Sequence, residues 1–172
     1  MKTKKHLKLM IVTLLLTALL FSGCGFSSGY IKCPLSDVAL GSSLEDVIAA
    51  EGEDYTTYDS VYGGTTYTYP KTYQKADGTI KYMFDEEDEL VCIAWAFNGN
   101  EDSDAMYDLY DTIHQEVEDK YGESGNATTG ENNYGDRWQL DGGNIIISTM
   151  VTDSNKALQY AYLSSKVASA AE

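Results

Sequence analysis

The chain has 172 residues, with 27 acidic and 12 basic side chains, so its formal net charge at pH 7 is −15. This length is typical of one domain, with enough chain to bury a hydrophobic core. An electric field of this sign repels phosphate backbones, so we expect no nucleic-acid partner.

The first 23 residues have the composition of a secretory signal peptide. Lysines but no acidic residues stand in the segment Met1–Lys8, and residues 9–21 are almost all apolar. This apolar run is shorter than the roughly 20 residues that a membrane-spanning helix needs. It therefore favours a cleaved signal over a transmembrane helix.

The small residues Ser22 and Gly23 come directly before Cys24. This arrangement resembles the lipobox of bacterial lipoproteins. The resemblance implies cleavage between Gly23 and Cys24, diacylglyceryl and palmitate-type acyl groups on Cys24, and a place on the outer side of the cell membrane. Two or more acyl chains anchor a protein firmly, whereas one chain binds marginally. The alternative is an ordinary signal peptide followed by a chance cysteine.

Removal of the signal would take away four lysines and no acid, which changes the formal net charge from −15 to −19. Residues 24–35 begin with a Gly/Ser-rich stretch and are expected to form a flexible tether. We expect a single α+β domain over residues 36–166 and a frayed tail over residues 167–172.

A short helix is predicted near the start of this domain. Ser42 and Glu45 have the spacing of a capping box. Leu44 and Val47 then lie on one helical face, and Gly52 is a natural C-terminal stop.

Strand signals follow the short helix. The segment Thr66–Tyr69 alternates, and Pro70 indicates a strand edge or end. Asp77-Gly78 predicts a hairpin turn before the alternating segment Ile80–Phe84. Leu90–Phe97 is apolar on both faces, which predicts a central strand.

The second half repeats this order. Apolar residues recur at helical spacing from Met106 to Tyr121, and Gly122 follows. Residues 123–133 are predicted to be a polar loop, and three strands are predicted around Trp138–Leu140, 144–152 and 157–163. The sequence therefore predicts an antiparallel sheet with two helices packed on one face, and suggests a duplicated helix-then-strands unit.

A family resemblance accompanies this pattern. Residues 41–47, then Gly52 and a strand hairpin, resemble the small lipoprotein domain of the outer-membrane assembly component SmpA/OmlA. The duplicated unit resembles the β-lactamase inhibitor protein fold. The likeness covers roughly Leu40–Phe97, and it implies a binding or scaffolding module without catalysis.

The residues themselves give little sign of catalysis or metal binding. His114 is the only histidine after the signal, and it is expected to be a surface helix residue. A zinc site is therefore not expected, and no cofactor is predicted. Cys33 and Cys92 are candidates for a disulfide, and a buried free thiol is equally natural for Cys92.

Tyrosine is the commonest aromatic residue, with 14 tyrosines against 4 phenylalanines and 2 tryptophans. Tyr67 and Tyr69 are predicted to contribute to a ligand surface. The function expected is that of a non-catalytic binding or scaffolding module with a protein partner in the cell envelope. The alternatives are a surface inhibitor of a hydrolase and a small hydrolase with paired carboxylates.

Overall fold

A computed structural model describes residues 33–98, 103–130, 133–152 and 156–168. The signal residues 1–23, Cys24 and most of the predicted tether lie outside these ranges, as do the last four residues of the predicted tail. Within the described ranges, no helix has both the length and the apolar character that are needed to cross a membrane.

The elements follow the order expected from the sequence: a helix and then strands, twice. The first half contains α1 (Leu44–Glu51), β1 (Thr56–Asp59), β2 (Gly63–Tyr73), β3 (Ala76–Asp85) and β4 (Leu90–Asn98). The second half contains α2 (Ser103–Tyr121), β5 (Gly125–Gly130), β6 (Asn133–Leu140), β7 (Gly143–Val151), β8 (Lys156–Ser164) and a final short helix, α3 (Ser165–Ala168).

All these strands belong to one sheet. In the described part of the chain it has eight strands in the order β1-β2-β3-β4-β8-β7-β6-β5, and every neighbouring pair is antiparallel. The α+β class with an antiparallel sheet is therefore confirmed. The strand predicted to be central, Leu90–Phe97, corresponds to β4, which lies between β3 and β8.

Helix α1 begins one residue later than its sequence signal predicts. The N-cap is Ser43, whose Oγ accepts a hydrogen bond from the Asp46 backbone N–H at 3.3 Å. Asp46 Oδ2 accepts a hydrogen bond from the Ser43 N–H at 3.0 Å in return. The prediction of Ser42 with Glu45 is therefore wrong by one residue. The predicted end at Gly52 is confirmed, since this residue has a φ of +97°, which favours glycine.

The β2–β3 hairpin turns earlier than predicted. The turn is formed by Gln74 and Lys75, with φ angles of +48° and +65°, as two-residue hairpin turns require. The predicted turn at Asp77-Gly78 is wrong, since both residues lie in β3. Gly78 serves packing instead: a Cβ added there would lie 2.6 Å from the Trp95 indole.

Two edge strands are absent from the predictions, β1 and β5. The segment Thr56–Asp59 is exposed along its whole length, so it lacks the alternation that marks a half-buried strand. The segment Gly125–Gly130 was predicted as part of a polar loop. Since β1 pairs with β2 only as far as Thr68, Pro70 lies where the outer edge of β2 is free and no N–H is needed.

The main core contains buried side chains from the sheet and from the two longer helices. Buried residues of α1 and α2 form one cluster with the inward side chains of the strands. The cluster includes Val47, Met106, Ile113 and Val117 from the helices and Ile80, Tyr82, Trp95, Ile147, Tyr160 and Tyr162 from the strands. Fully burying side chains of this size stabilises a fold by about 1.5–3 kcal/mol each before entropy is counted.

The packed part of the chain is longer at both ends than the predicted domain, residues 36–166. Cys33 and Leu35 are buried in the main core, so the packed chain includes residues that were assigned to the tether, 24–35. At the other end, Ala168 is buried in α3, so the packed chain extends beyond residue 166.

Candidate functional site

The two faces of the sheet differ in what covers them. The side chains of one face belong to the main core cluster, which also holds the buried residues of α1 and α2, and we call this face the helix side. We call the opposite face the open face. It bears a smaller apolar cluster around Cys92, Ala94, Ala161 and Leu163, which the short helix α3 joins through Ala168.

The centre of the open face is built from small side chains. Strand alternation and register place Ala94 beside Ala161, and Ala96 beside Gln159, on the two central strands β4 and β8. Ser148 on β7 follows next to Gln159. Because these side chains are short, they leave a depression in the middle of this face, and larger side chains surround it.

A groove of about 270 Å³ lies over these residues. It is formed by the β1–β2 turn on one side and by strands β3, β4, β8 and β7 below. Its lining consists of Val61, Tyr62, Met83, Cys92, Ile146, Ser148, Gln159, Ala161 and Leu163.

The β1–β2 turn is bent over the open face by local backbone geometry. The pairing of β2 with β3 is irregular between Gly63 and Thr66, and such bulges bend a strand. Gly63 has a φ of +95°, and a Cβ at Gly64 would lie 2.2 Å from the Asp85 carbonyl oxygen. Two glycines are therefore needed for the turn to reach the groove.

Tyr62 anchors this turn to the sheet. Its hydroxyl lies close to the thiol of Cys92, and each group affects the pKa of the other. Burial, with the thiol nearby, raises the pKa of Tyr62 to about 12. Burial also raises the pKa of Cys92 to about 12, although the nearby Tyr62 hydroxyl and the positive charge of Lys81 both act to lower it. Both groups are therefore neutral at physiological pH, and the groove floor is uncharged.

The large apolar residues that stay exposed in the described part of the chain all lie on this side. Val61, in the groove wall, is 83% exposed, Tyr58 is 47% exposed and Met150 is 45% exposed. Tyr58 shares a face with Thr56, whose hydroxyl lies 2.6 Å from that of Thr68. Met150 follows Ser148 at strand spacing on β7.

The strand positions of the open face carry few acids, although Glu86 and Glu87 of the β3–β4 turn lie at its rim, against Gly63 and Lys166. Exposed acids line the helices on one side: Glu45, Asp46, Asp104, Asp108, Asp111, Glu116 and Asp119. Among the described strand positions on the open face, the acids are Asp77 and Asp85, and each has a bonded partner, Thr72 and Lys166. The open face also holds Lys81 and Arg137.

The predicted tyrosine surface is largely buried. Tyr69 is 3% exposed and belongs to the main core, so its assignment to a ligand surface is wrong. Tyr67 is half-buried against that core, with its ring 5.1 Å from Tyr55 and 5.6 Å from Phe84. Both tyrosines lie on the helix side because strand alternation places Thr66 and Thr68, their neighbours, on the open face.

The candidate disulfide is not formed. Cys33 and Cys92 are both buried free thiols, and they belong to the clusters on opposite sides of the sheet. Burial raises the pKa of Cys33 to about 11. The two sequence alternatives are thus resolved in favour of buried thiols.

His114 belongs to a polar network that holds α2 on the sheet. Asp136 on β6 accepts hydrogen bonds from the hydroxyl of Tyr110 and, at 3.0 Å, from that of Ser124. His114 Nδ1 lies 2.9 Å from Asp136 Oδ2, although the two groups are not aligned for a hydrogen bond. Its ring packs on Trp138 with centroids 5.4 Å apart. Ser124 bonds the carboxylate and not the imidazole, so no Ser-His-Asp relay is formed.

A second depression, of about 430 Å³, lies beside the segment Cys33–Asp37 and includes Lys71, Glu116 and Lys120. Its charges are used within the fold: Lys71 Nζ lies 3.0 Å from Glu51, and Glu116 accepts hydrogen bonds from the side chains of Tyr73 and Gln74. Within the described ranges, no cluster of histidine, cysteine and acidic residues could hold a metal ion.

The groove was missed by sequence reasoning, although a signal for it exists. The open-face positions of Leu90–Phe97 are Cys92, Ala94 and Ala96, and Ala157 and Ala161 repeat this on β8. Small residues on one face of two central strands indicate a face without a large packed layer. Comparisons with protein-family models, with curated proteins and with solved structures find no match to this chain.

Proposed function

We propose that this chain is a lipid-anchored, extracytoplasmic binding module without catalytic activity, and that its open face docks a protein of the cell envelope. The observation that carries the proposal is the contrast between the two sides of the domain. The open face has the exposed apolar residues and no unpartnered acid at its described strand positions, whereas the helix side is acidic.

This contrast fits the known anatomy of protein interfaces. Interface cores are depleted of charged residues, and their rims are polar. Contiguous exposed apolar surface on a soluble domain is a feature of interaction sites. The acidic helices would repel any anionic partner from the other side, and so they favour one orientation of docking.

The architecture proposed for this module is a duplicated unit with α1 and α2 on the same face. The strand order supports it, since each half is a helix followed by four strands, and the last strands of the halves, β4 and β8, pair at the centre. The membership of both helices in one core cluster supports it as well. Among the described residues, the other face of this sheet is covered only in part, by the short helix α3 and by the β1–β2 turn.

The membrane anchor is proposed from the lipobox alone, with acylation of Cys24 after cleavage at Gly23. Mass spectrometry of the N-terminal peptide of the mature protein tests it. The proposal predicts a peptide that begins at Cys24 and carries diacylglyceryl mass, and it predicts that Cys24→Ser leaves an unlipidated chain. A mature chain with an unmodified thiol at Cys24 would contradict the anchor and leave the binding proposal standing.

Docking through the open face is tested with a matched pair of neighbours on β1. Tyr58 lies on the open face and Thr57 on the helix side, and both are exposed. The tagged full-length chain is purified in mild detergent from the cells that produce it. A protein that co-purifies with the unsubstituted chain should be retained by Thr57→Asp and lost with Tyr58→Asp or Met150→Asp.

Two outcomes of this experiment bear on the alternatives. If the retained protein is a hydrolase that loses activity on binding, the module is an inhibitor, which is the runner-up function. If Tyr58→Asp and Thr57→Asp behave alike, docking through the open face is wrong.

A further inference from the structure

Resting on the proposed function, we propose that the partner protein inserts one large apolar side chain into the groove beneath the β1–β2 turn and places an acidic group beside Lys81. This names the chemistry of the partner's contact region: an aliphatic or aromatic residue on a protruding segment, flanked by aspartate, glutamate or a C-terminal carboxylate.

The size of the groove points to a side chain as its occupant. At about 270 Å³ it lies below the range of about 300–1,000 Å³ that is usual for small-molecule pockets. A single buried anchor residue, surrounded by weaker contacts that exclude water, is the usual energetic centre of a protein interface. The groove has room for such an anchor.

The lining of the groove matches an apolar occupant. Val61 and Met83 are apolar walls, and Ala161 lies on the floor. The polar groups of the floor, Tyr62 and Cys92, lie close to each other and both are neutral at physiological pH. An apolar side chain that enters the groove therefore covers no charged group of the floor, whereas a charged side chain would lose its hydration without gaining a partner.

The exposed side chain of Val61 also favours binding at this site, because a bound partner would remove its apolar surface from water. This side chain is 83% exposed at the tip of the turn, directly beside the groove. Burial of exposed apolar area favours protein–protein association. The turn thus offers a second apolar surface to a side chain that is seated in the groove.

The charge near the groove favours an acidic neighbour for the anchor. Lys81 pairs across the strands with Ala94, and Ala94 pairs with the groove residue Ala161. The charge of Lys81 also acts to lower the pKa of the Cys92 thiol. In the described part of the chain, Lys81 has no ion-pair partner. At physiological salt the screening length is about 8 Å, so the acids of the helices are largely screened at this point, whereas Glu86 lies against Gly63 beside the groove wall.

These features favour a protein over a lipid surface. The apolar site is recessed and holds one side chain, whereas a membrane surface is broad and flat on this scale. Basic residues draw a domain to anionic headgroups. At the described open-face strand positions, the basic residues are Lys81 and Arg137. A lipid contact is therefore an outcome of the experiment and not part of the proposal.

The experiment uses the full-length chain in the cells that produce it, with a photo-reactive amino acid at Gln139 as the probe. Gln139 is exposed and lies on β6 at an open-face position outside the groove. Ser148→Trp fills the groove from β7. Thr57→Trp is the matched control on the helix side. Lys81→Glu and Lys81→Gln test the charge.

We expect one crosslinked protein from Gln139 in the otherwise unsubstituted chain. The crosslink should fall at least tenfold with Ser148→Trp and with Lys81→Glu, fall less with Lys81→Gln, and stay unchanged with Thr57→Trp. Val61→Asp, at an exposed turn position, should give the same loss, so the test does not depend on the folding of Ser148→Trp.

Each remaining outcome is decisive. A protein crosslink that survives both Ser148→Trp and Val61→Asp overturns the groove as anchor site while the proposed function stands. Retention with Lys81→Glu overturns the acidic neighbour. A crosslink to lipid in place of protein overturns both this inference and the docking of a protein. Absence of any crosslink from Gln139 and from Gln159 in the unsubstituted chain overturns the proposed function itself.

Discussion

The ammonium group of Lys166 lies 2.6 Å from Oδ2 of Asp85, and this contact fastens the short helix α3 to the end of strand β3. Asp85 is 5% exposed and also accepts backbone hydrogen bonds from Glu87 at 3.1 Å and Glu89 at 3.0 Å. Lys166 is itself exposed, so its pairs with Glu87 and Glu89 are screened by water. The buried carboxylate of Asp85 is therefore the energetic centre of this contact.

Asp85→Asn should lower the free energy of unfolding by about 1–3 kcal/mol at neutral pH, because the charge-assisted bonds are weakened around a buried group. Burial alone would raise the pKa of Asp85, but Lys166 and the two backbone N–H groups outweigh it, and the pKa is lowered. A lowered pKa gives stability that is present above the unfolded-state pKa of about 3.9 and is lost as the pH falls through the folded-state value.

The measurement is urea unfolding of the two proteins at several pH values. Their difference should be constant from pH 7 to about pH 5 and should shrink below about pH 4. Glu53→Gln, at an exposed position, is the control and should change little. A difference that grows on acidification would contradict the assignment.

Gly78→Ala should destabilise the fold by about 1–3 kcal/mol, the usual range for overpacking. Its Cβ would lie 2.5 Å from the Ala96 carbonyl oxygen and 2.6 Å from the Trp95 ring, and the ring is held by a hydrogen bond from its Nε1 to the Lys71 carbonyl at 2.8 Å. Gly125→Ala is the control, since its Cβ would meet only an ordinary contact at 3.6 Å. Equal melting temperatures for the two variants would show that the indole moves freely.

The two buried thiols should react slowly in the native protein. Burial raises the pKa of Cys33 to about 11 and that of Cys92 to about 12, so little thiolate is present at pH 8. In a form that begins after Cys24, a thiol reagent should label neither cysteine quickly in buffer and both in guanidinium chloride. A denatured, unreduced protein without reactive thiols would mean that the two cysteines pair after all.

Asp136→Ala should cost about 1.5–3 kcal/mol, the range for hydrogen bonds to a charged group. It removes the acceptor for Tyr110 and Ser124 and the anion beside His114. Asp119→Ala on α2 is the control, because that exposed carboxylate accepts one bond from Gln115 and should contribute only a few tenths. Thermal unfolding monitored by circular dichroism separates the two; equal losses would make the network unimportant.

The sequence predicted elements where a single local rule applies. Helix α2 follows from its apolar stripe and ends at Gly122, whose φ is +85°. Strand β4 follows from its apolar residues on both faces. Its place at the centre of the sheet agrees with that pattern, since both faces of β4 are buried.

The sequence predictions were wrong where one residue type can serve two structural roles. Glycine after aspartate predicts a turn, yet Gly78 is required because a Cβ at this position would lie 2.6 Å from the Trp95 ring. Ser42 and Ser43 both satisfy a capping pattern, and only the geometry of Asp46 distinguishes them. Tyr69 was assigned to a surface because tyrosine suits both surfaces and cores. Which face it occupies depends on which side the helices cover.

The groove could not be predicted from any single segment of the sequence. Its wall comes from the turn at Val61 and Tyr62, and its floor from β4, β8 and β7, which are distant in sequence. The pairing of β4 with β8, two strands from opposite halves, brings Ala94 and Ala161 together. Local patterns cannot supply such a pairing, although the small residues on each strand indicate the lightly covered face.

The measurement that tests the central claim most directly is photo-crosslinking from two glutamines in the full-length chain, in the cells that produce it. Gln159 lines the groove on the open face, and Gln115 is exposed on α2 on the helix side. If the open face docks a protein, a photo-reactive residue at position 159 should give one discrete crosslinked protein and the same residue at position 115 should give none. Crosslinking to the same protein with equal yield from both positions, or from position 115 alone, would contradict the account.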